Sequence, residues 1–545
     1  MRPFRLLAPL LILISACAQV AEITGGPKDE DPPRLVAADP PHLSTGFNGD
    51  RITLVFNERI QLERVRDRLL ISPPLPAPPL VRMAGPRTVT IDIDGALMPN
   101  TTYSFVLGGA VKDLAEGNPA LDLTHVISTG PYVDSMLVAG RVINAFSGDP
   151  EKEVLVMVYA ENDTATIRNS RPAYATRTNA EGYFTLRHLR DDEYRLHALR
   201  DQNTNYRFDL PNEEVAFLDS TLRPEAPDSI QTAHELRLFR EMSAMQQVRE
   251  SRVIADGALR LILERPSETV DVVDIARTGG NLRWIPEWNA ARDTLLLWPS
   301  DTTALQEGRY RIATEDGIID TLRYRIIEKM PFFTGLQASL REMPDGPVIR
   351  LRSARPILSV DSSRFQLLLD SVALAKTFSL DTADRRNLYL AAAMEPGDKV
   401  ELRVLPRGIT DIYGGHNDTL LTGLGRAAEQ STGILLVRVR MFEDATGPFI
   451  LQLLDRQGVT IREERMERME DVLWERVPPG EVRLRLIGDR NGNGRWDPGV
   501  LDEQLQPEPV WNHGERVNVR ASWEIGIDWE IGKRPLEEEE DDPEP

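Results

Sequence analysis

Thiols are nearly absent from this chain: among 545 residues there is one cysteine, Cys17. A lone cysteine excludes an internal disulfide, and its place near the N-terminus argues against thiol catalysis elsewhere. Histidine is scarce and scattered, with seven residues in all: His42, His125, His188, His197, His234, His416 and His513. No HExxH, GxSxG or phosphate-cradling glycine loop occurs, so no familiar hydrolase or nucleotide motif is present. Positive charge is in deficit, with 64 Lys and Arg against 85 Asp and Glu and a formal net charge of -21. That balance argues against a nucleic-acid partner, which needs a basic surface, and against a polybasic contact with a membrane. No apolar run approaches the roughly 20 residues needed to span a bilayer. Long helical periodicity is equally scarce.

What is present begins at the N-terminus, MRPFRLLAPLLILISAC. Arg2 and Arg5 form a short basic region, Leu6 to Ile14 a short apolar one, and Ile14-Ser15-Ala16 leads into Cys17. The apolar run has the length of a signal-peptide core. Residues 1–16 are therefore expected to be a signal peptide, and the small residues leading into a cysteine resemble the bacterial lipoprotein signal, which implies that Cys17 is lipidated. Residues 17–32, rich in Gly, Pro and charge, are expected to be the lipidated tether. The last residues, LEEEEDDPEP, form a like-charge run, and 534–545 is expected to be an acidic disordered tail.

Between these ends the dominant pattern is the strand. Trp523, Ile525, Ile527, Trp529 and Ile531 alternate with Glu524, Gly526, Asp528 and Glu530, the period of a half-buried strand. Val154 to Tyr159 and Leu367 to Leu369 are apolar throughout and read as strands buried on both faces. Short strands with frequent turn signals predict an all-β fold of tandem β-sandwich domains.

Residues 33–130 contain Asp39-Pro40-Pro41, Phe56-Asn57-Glu58, Pro99-Asn100-Thr101-Thr102-Tyr103, and Asp113 with Gly117-Asn118. This combination resembles the SbsA-type bacterial Ig-like domain of surface-layer proteins and exported Bacteroidota lipoproteins. The resemblance makes Glu58 a structural carboxylate after a strand. Residues 131–224 carry Gly140, Val142, Val156, Thr176, Thr178, Gly182, Phe184, Leu189 and Tyr194, a pattern similar to the carboxypeptidase-regulatory, transthyretin-like sandwich. That family implies bracing or binding rather than peptidase activity. Both modules recur. EVRLRLIGDRNGNGRWD repeats EYRLHALRDQNTNYRFD in register, which predicts a second transthyretin-like sandwich at 431–533. GITDIYGGHND resembles AVKDLAEGNPA, with Asp411 answering Asp113, which predicts a diverged second Ig-like domain at 332–430. Residues 225–331 are expected to form a further β domain, with a turn at Thr278-Gly279-Gly280-Asn281.

The repeated loops carry the candidate metal ligands. Asp489, Asn491, Asn493 and Asp497 have the oxygen spacing of a calcium loop, and Gly494 stands at its sixth position. Val500 stands where a bidentate Glu belongs, so Asp502 or Glu503 would have to complete the site. The copy has Asp201, Asn203, Asn205 and Asp209, but Tyr206 replaces the glycine and Asn212 the acid, with Glu213 and Glu214 following. The alternative is a long β-connection in which Asp and Asn bond their own backbone. Calcium is the one cofactor these residues suggest, in a stiffening role.

Two further patterns have ordinary alternatives. Triplets such as Asp293-Thr294-Leu295 and Asp370-Ser371-Val372 resemble the O-glycosylation acceptor of exported Bacteroidota proteins, and the same pairs also close turns. Trp284, Trp288 and Trp298 would suit a sugar-stacking platform if exposed, and a core if buried. Together these readings predict a non-catalytic, lipid-anchored cell-envelope protein, expected at the outer membrane, with a structural, adhesive or binding role. The expected partners are the membrane, through Cys17, and an envelope protein or polysaccharide. The alternatives are a carbohydrate-binding accessory protein of a glycan-uptake system and, further off, a hydrolase with paired acids in 225–427.

Overall fold

The computed structural model describes residues 29–532, apart from 162–163, 229–232, 244, 276–282, 290, 301, 303–305, 327–330, 332, 344–345, 383, 427–431 and 442–446. Cys17, the signal segment, the acidic tail and the turn expected at 278–281 lie outside the described residues. The described chain is nearly all strand, arranged as tandem β-sandwiches. Among these residues no helix is long and apolar enough to cross a membrane.

The first sandwich opposes a sheet of Leu35–Asp39, Arg51–Phe56, Thr88–Asp92 and Leu80–Gly85 to one of Leu70–Ser72, Thr102–Val106 and Thr124–Ser128. The pair Ile60–Leu62 and Val111–Asp113 closes one end. Alternation fills its core: in RITLVF, Ile52, Leu54 and Phe56 point inward and are fully buried. Residues 336–425 repeat this strand order. Leu336–Met343, Gly346–Ser353, Asn387–Ala391 and Thr377–Leu380 form one sheet, and Phe365–Leu369, Lys399–Val404 and Leu420–Gly425 lie in the other. The end pair is Ile357–Val360 with Ile409–Asp411. Phe365 and Leu367 are buried and Leu369 half-buried on one face, while Gln366 is exposed and Leu368 half-buried on the other, so neither face of this strand is wholly buried, against the two expected.

The second sandwich pairs the sheet Tyr174–Arg177, Leu155–Ala160, Tyr194–Arg200 and Glu214–Phe217 with the sheet Tyr183–Leu189, Met136–Asn144 and Ala233–Leu238. Leu155–Ala160 is the doubly buried strand its sequence suggests. Gly182 takes a φ of 79° in the turn that starts at Asn179, where the Asn179 Oδ1 accepts from the N–H groups of Glu181 and Tyr183. Ala233–Leu238 runs parallel to Met136–Asn144, so this sandwich extends past the boundary expected at 224. That strand follows a long connection, and no short-range turn signal ties it to its partner. The last sandwich has the same plan. Glu524–Ile531 lies parallel to Gly433–Met441, which also pairs Val472–Val477, and Thr460–Met466, Phe449–Leu454, Gly480–Gly488, Val510–Asn512 and Val517–Val519 form the facing sheet. Between them, residues 248–324 build a four-stranded and a three-stranded sheet around Leu259, Leu261, Leu295, Leu297, Tyr310 and Ile312.

The sandwiches pack on one another. Ser72 accepts from the Ala175 N–H at 2.9 Å, and Arg177 donates to the Asp67 carbonyl at 3.3 Å, joining the first to the second. The Tyr413 hydroxyl donates to the Gly257 carbonyl at 2.9 Å, and Trp298 and Ala258 pack with Ile412, joining the third to the fourth. The last sandwich returns along the chain to dock on the second.

Candidate functional site

The two Asp/Asn loops occupy the same place in their sandwiches. Each leaves the end of a central strand, Tyr194–Arg200 or Gly480–Gly488, and returns to its edge neighbour, Glu214–Phe217 or Val510–Asn512. In the second copy Asp489 is buried, 3% exposed. Its carboxylate accepts from the N–H groups of Asn493 at 3.0 Å and Gly494 at 2.7 Å. Gly492 and Gly494 have φ of 70° and 77°, which bends the backbone round that carboxylate. Asn491 and Asn493 each donate a side-chain amide N–H to Asp497 Oδ2 at 2.5 Å. The first copy matches: Asp201 accepts from the N–H groups of Asn203, Asn205 and Tyr206, while Asn203 and Asn205 donate to Asp209. Thr204 and Tyr206 take the glycine positions with φ of 58° and 65°.

A buried glutamate closes each loop. Glu213, 1% exposed, accepts from the N–H groups of Gln202, Asp209 and Leu210 at 3.0–3.1 Å. Glu508, 6% exposed, accepts from Arg490 N–H at 2.7 Å and Asp497 N–H at 2.9 Å. Glu213 stands twelve residues after Asp201 and Glu508 nineteen after Asp489, so the second loop carries a seven-residue insertion. The spacing rule looks near Val500 and therefore misses Glu508; the signal available was the match of Pro211-Asn212-Glu213 to Pro507-Glu508. Asp502, expected as a ligand, lies elsewhere: its carboxylate pairs with Arg168 of the second sandwich at 2.7 Å. It sits in the insertion, which turns away from Asp489 to reach another sheet.

Among the described residues no cationic side chain pairs with the buried Asp489 or Glu508. Burial raises the Glu508 carboxyl above the usual range, with the charges of Asp497 and Asp489 adding to the shift against the pull of its backbone donors. Arg495 approaches Asp497 at 3.4 Å. Among the described residues no group of three or more His, Cys, Asp or Glu is spaced to hold a metal ion. The donors are all oxygen, the set that suits calcium rather than a soft metal, but the site counts only if the Asn side chains join it. In the closed arrangement their amide N–H groups supply the positive end facing Asp497.

The insertion docks the last sandwich. Leu501 packs with Phe208, Phe217 and Phe239, and its N–H donates to Glu241 at 2.5 Å. Trp496 meets Phe146 at 5.2 Å between ring centroids, and Gln506 donates to the Phe217 carbonyl at 2.9 Å.

The other candidates have structural surroundings. Trp298 is 1% exposed and donates to Glu287, Trp284 is half-buried against Tyr310 and Tyr324, and Trp288 lies under Arg292. No exposed row forms, because inward alternation places these rings in or beside the core. Three of the more buried acids of 225–427 are held in ion pairs: Glu287 with Arg352 and Arg386, Asp384 with Arg352, and Asp411 with Arg355. Asp370 and Ser371 occupy a tight turn with φ of 46° and 69°. Glu58 follows its strand with Asn57 donating to it at 3.3 Å.

Residues 29–129 match the bacterial Ig-like domain. That match covers the first sandwich alone, and the rest of the described chain is shown only as further β-sandwiches. No curated protein matches its sequence. Solved structures with some likeness include BcpA, the major pilin subunit of Bacillus cereus, at 9% identity over 74% of this chain and 100% of that one, with a TM-score of 0.15. The Bacteroides ovatus mixed-linkage glucan utilization locus SGBP-B, solved with a mixed-linkage heptasaccharide, is 10% identical over 70% of this chain and 95% of its own, with a TM-score of 0.20. The Bacillus anthracis TIE protein is 8% identical over 91% and 74%, with a TM-score of 0.15. Superpositions this loose carry no argument about arrangement or role.

Proposed function

We propose that this chain is a lipid-anchored cell-envelope protein, held at the outer membrane by acylated Cys17, with a structural or binding role and no catalysis. The observation that supports the structural part is the use made of its buried polar groups. Asp113, Asp411, Glu213 and Glu508 tie loops to backbone N–H groups, and the Asp489 loop extends into a joint between two sandwiches. Chemistry that could serve a reaction is spent on holding segments in place. The anchor rests on the sequence around Cys17, and the envelope partner is taken to be a protein or a polysaccharide. Buried Trp298 and half-buried Trp284 and Trp288 weigh against the glycan-uptake alternative at that place. Metabolic labelling with a fatty acid, followed by membrane fractionation, tests the reading. Label and membrane association should both disappear in Cys17→Ser, and an unlabelled wild-type chain in the soluble fraction would refute it.

A further inference from the structure

A recess lies where the first two sandwiches meet, and nothing above gives it a role. It is a pocket of about 700 Å³, within the size range of small-molecule sites, which favour such domain junctions. Leu69, Ile71, Leu75 and Leu80 line it from the first sandwich, and Ala175 and Tyr206 from the second. Leu80 is 59% exposed on an edge strand, so apolar surface is left open to solvent here. Pro74, Pro78 and Pro79 stiffen the wall, which reduces the ordering a ligand would have to impose. Tyr206 belongs to the first Asp/Asn loop, where Asp201 fixes its backbone N–H at 2.8 Å, so the loop shapes the pocket floor.

The charge of the lining is unusual for this chain. In a protein of net charge -21, the lining has no Asp or Glu and has two arginines, Arg66 and Arg171. Both are exposed. Arg171 lies over the Tyr206 ring, 5.5 Å from its centroid, and among the described residues neither guanidinium has a carboxylate partner. The neighbouring acid, Asp67, is taken by Arg64 at 3.0 Å. An apolar wall and two guanidiniums without carboxylate partners, in a lining that itself holds no Asp or Glu, are complementary to a molecule with an apolar body and an anionic head.

We propose that this pocket binds a single-chain anionic amphiphile, its alkyl body against Leu69, Ile71, Leu75 and Leu80 and its carboxylate or phosphate between Arg66 and Arg171. The inference does not depend on the envelope reading: acylation at Cys17 and binding in this pocket can fail separately. Isothermal titration of the mature chain with dodecanoate, dodecyl phosphate, dodecanol and dodecyltrimethylammonium, each below its micelle threshold, tests it. Dodecanoate or dodecyl phosphate should bind one to one, and the comparison of the two separates a carboxylate source from a phosphate one. Dodecanol should bind at least tenfold more weakly and the cation not at all. Arg66→Gln with Arg171→Gln should weaken the anion at least tenfold. Leu80→Glu, at an exposed position that leaves the core intact, should do the same while the melting curve stays unchanged. Failure of both anions to bind, equal binding of dodecanol, or indifference to both variants would overturn the proposal.

Discussion

At the scale of single residues, Asp113 shows how this fold uses a carboxylate. It is 1% exposed, and it accepts from the N–H groups of Glu116 at 2.6 Å, Gly117 at 2.8 Å and Asn118 at 2.8 Å. Burial alone would raise its pKa, but the backbone donors outweigh burial and hold it below the ordinary value. Asp411 repeats the arrangement with the N–H groups of Tyr413 and Gly415, and adds Arg355 at 3.0 Å. Asp113→Asn keeps the shape but turns a charged acceptor into a half-donor facing N–H groups. The loss should be about 1–3 kcal/mol, read as a lower denaturant midpoint for the first sandwich. The sign of the pH effect follows from the lowered pKa. The carboxylate's contribution is complete above its unfolded value, near 3.8, and is lost as the pH falls through the lower folded one. The variant should therefore lose less stability than the wild type on acidification below about pH 4. An equal loss in both chains would show that Asp113 is not the group responsible.

At the scale of elements, the Asp489 loop is held by its own backbone, and its three acids are not spaced as a ready ligand set, yet the charges of Asp497 and Asp489 act on the buried Glu508 carboxyl. Calcium should relieve that repulsion. At tenfold excess over its dissociation constant, a ligand that binds only the folded state contributes about 1.4 kcal/mol. The melting temperature should rise in millimolar calcium and fall back in chelator, and Glu508→Gln should lose most of the response. Identical melting in calcium and chelator would end the metal reading. The loop also shows what the sequence could and could not disclose. The four Asp and Asn positions of each loop were legible as a repeat because the motif occurs twice at one spacing. Glu508 was not, because a seven-residue insertion displaces it, and that insertion owes its composition to a distant sheet. Strand type was legible where alternation is strict, as in Glu524–Ile531, whose Trp529 and Ile531 are buried. The parallel strand Ala233–Leu238 was not, since parallel pairing has no local turn to announce it. The tryptophans were ambiguous for a related reason: a ring in a short strand faces core or solvent according to register, which composition does not reveal.

At the scale of the whole molecule, the packing of the last sandwich on the second turns a string of modules into a closed arrangement. The joint is small and mixed. Leu501 enters the cluster around Phe208, Phe217 and Phe239, Trp496 stacks near Phe146, Arg485 lies 4.3 Å over the Phe146 ring, and Asp502 pairs with Arg168. The exposed ion pair contributes little, and the apolar anchor carries most of the energy. Leu501 is 4% exposed, so Leu501→Ala should cost about 2–5 kcal/mol of docking, and Leu501→Asp more, because it adds a buried charge beside Glu241. Leu501 caps the cluster on one face of the Leu155–Ala160 sheet and is not part of the separate core between the two sheets of that sandwich, so the modules should stay folded while the molecule opens. Small-angle scattering should then record a larger radius of gyration for Leu501→Asp, with a near-wild-type circular dichroism spectrum. Leu473→Asp, at a position 53% exposed on the same sandwich, is the control that should leave both unchanged. If Leu501→Asp scatters like the wild type, the joint is held by the surrounding hydrogen bonds from Gln506 and Asn512 instead, and the variant to make is Gln506→Ala with Asn512→Ala.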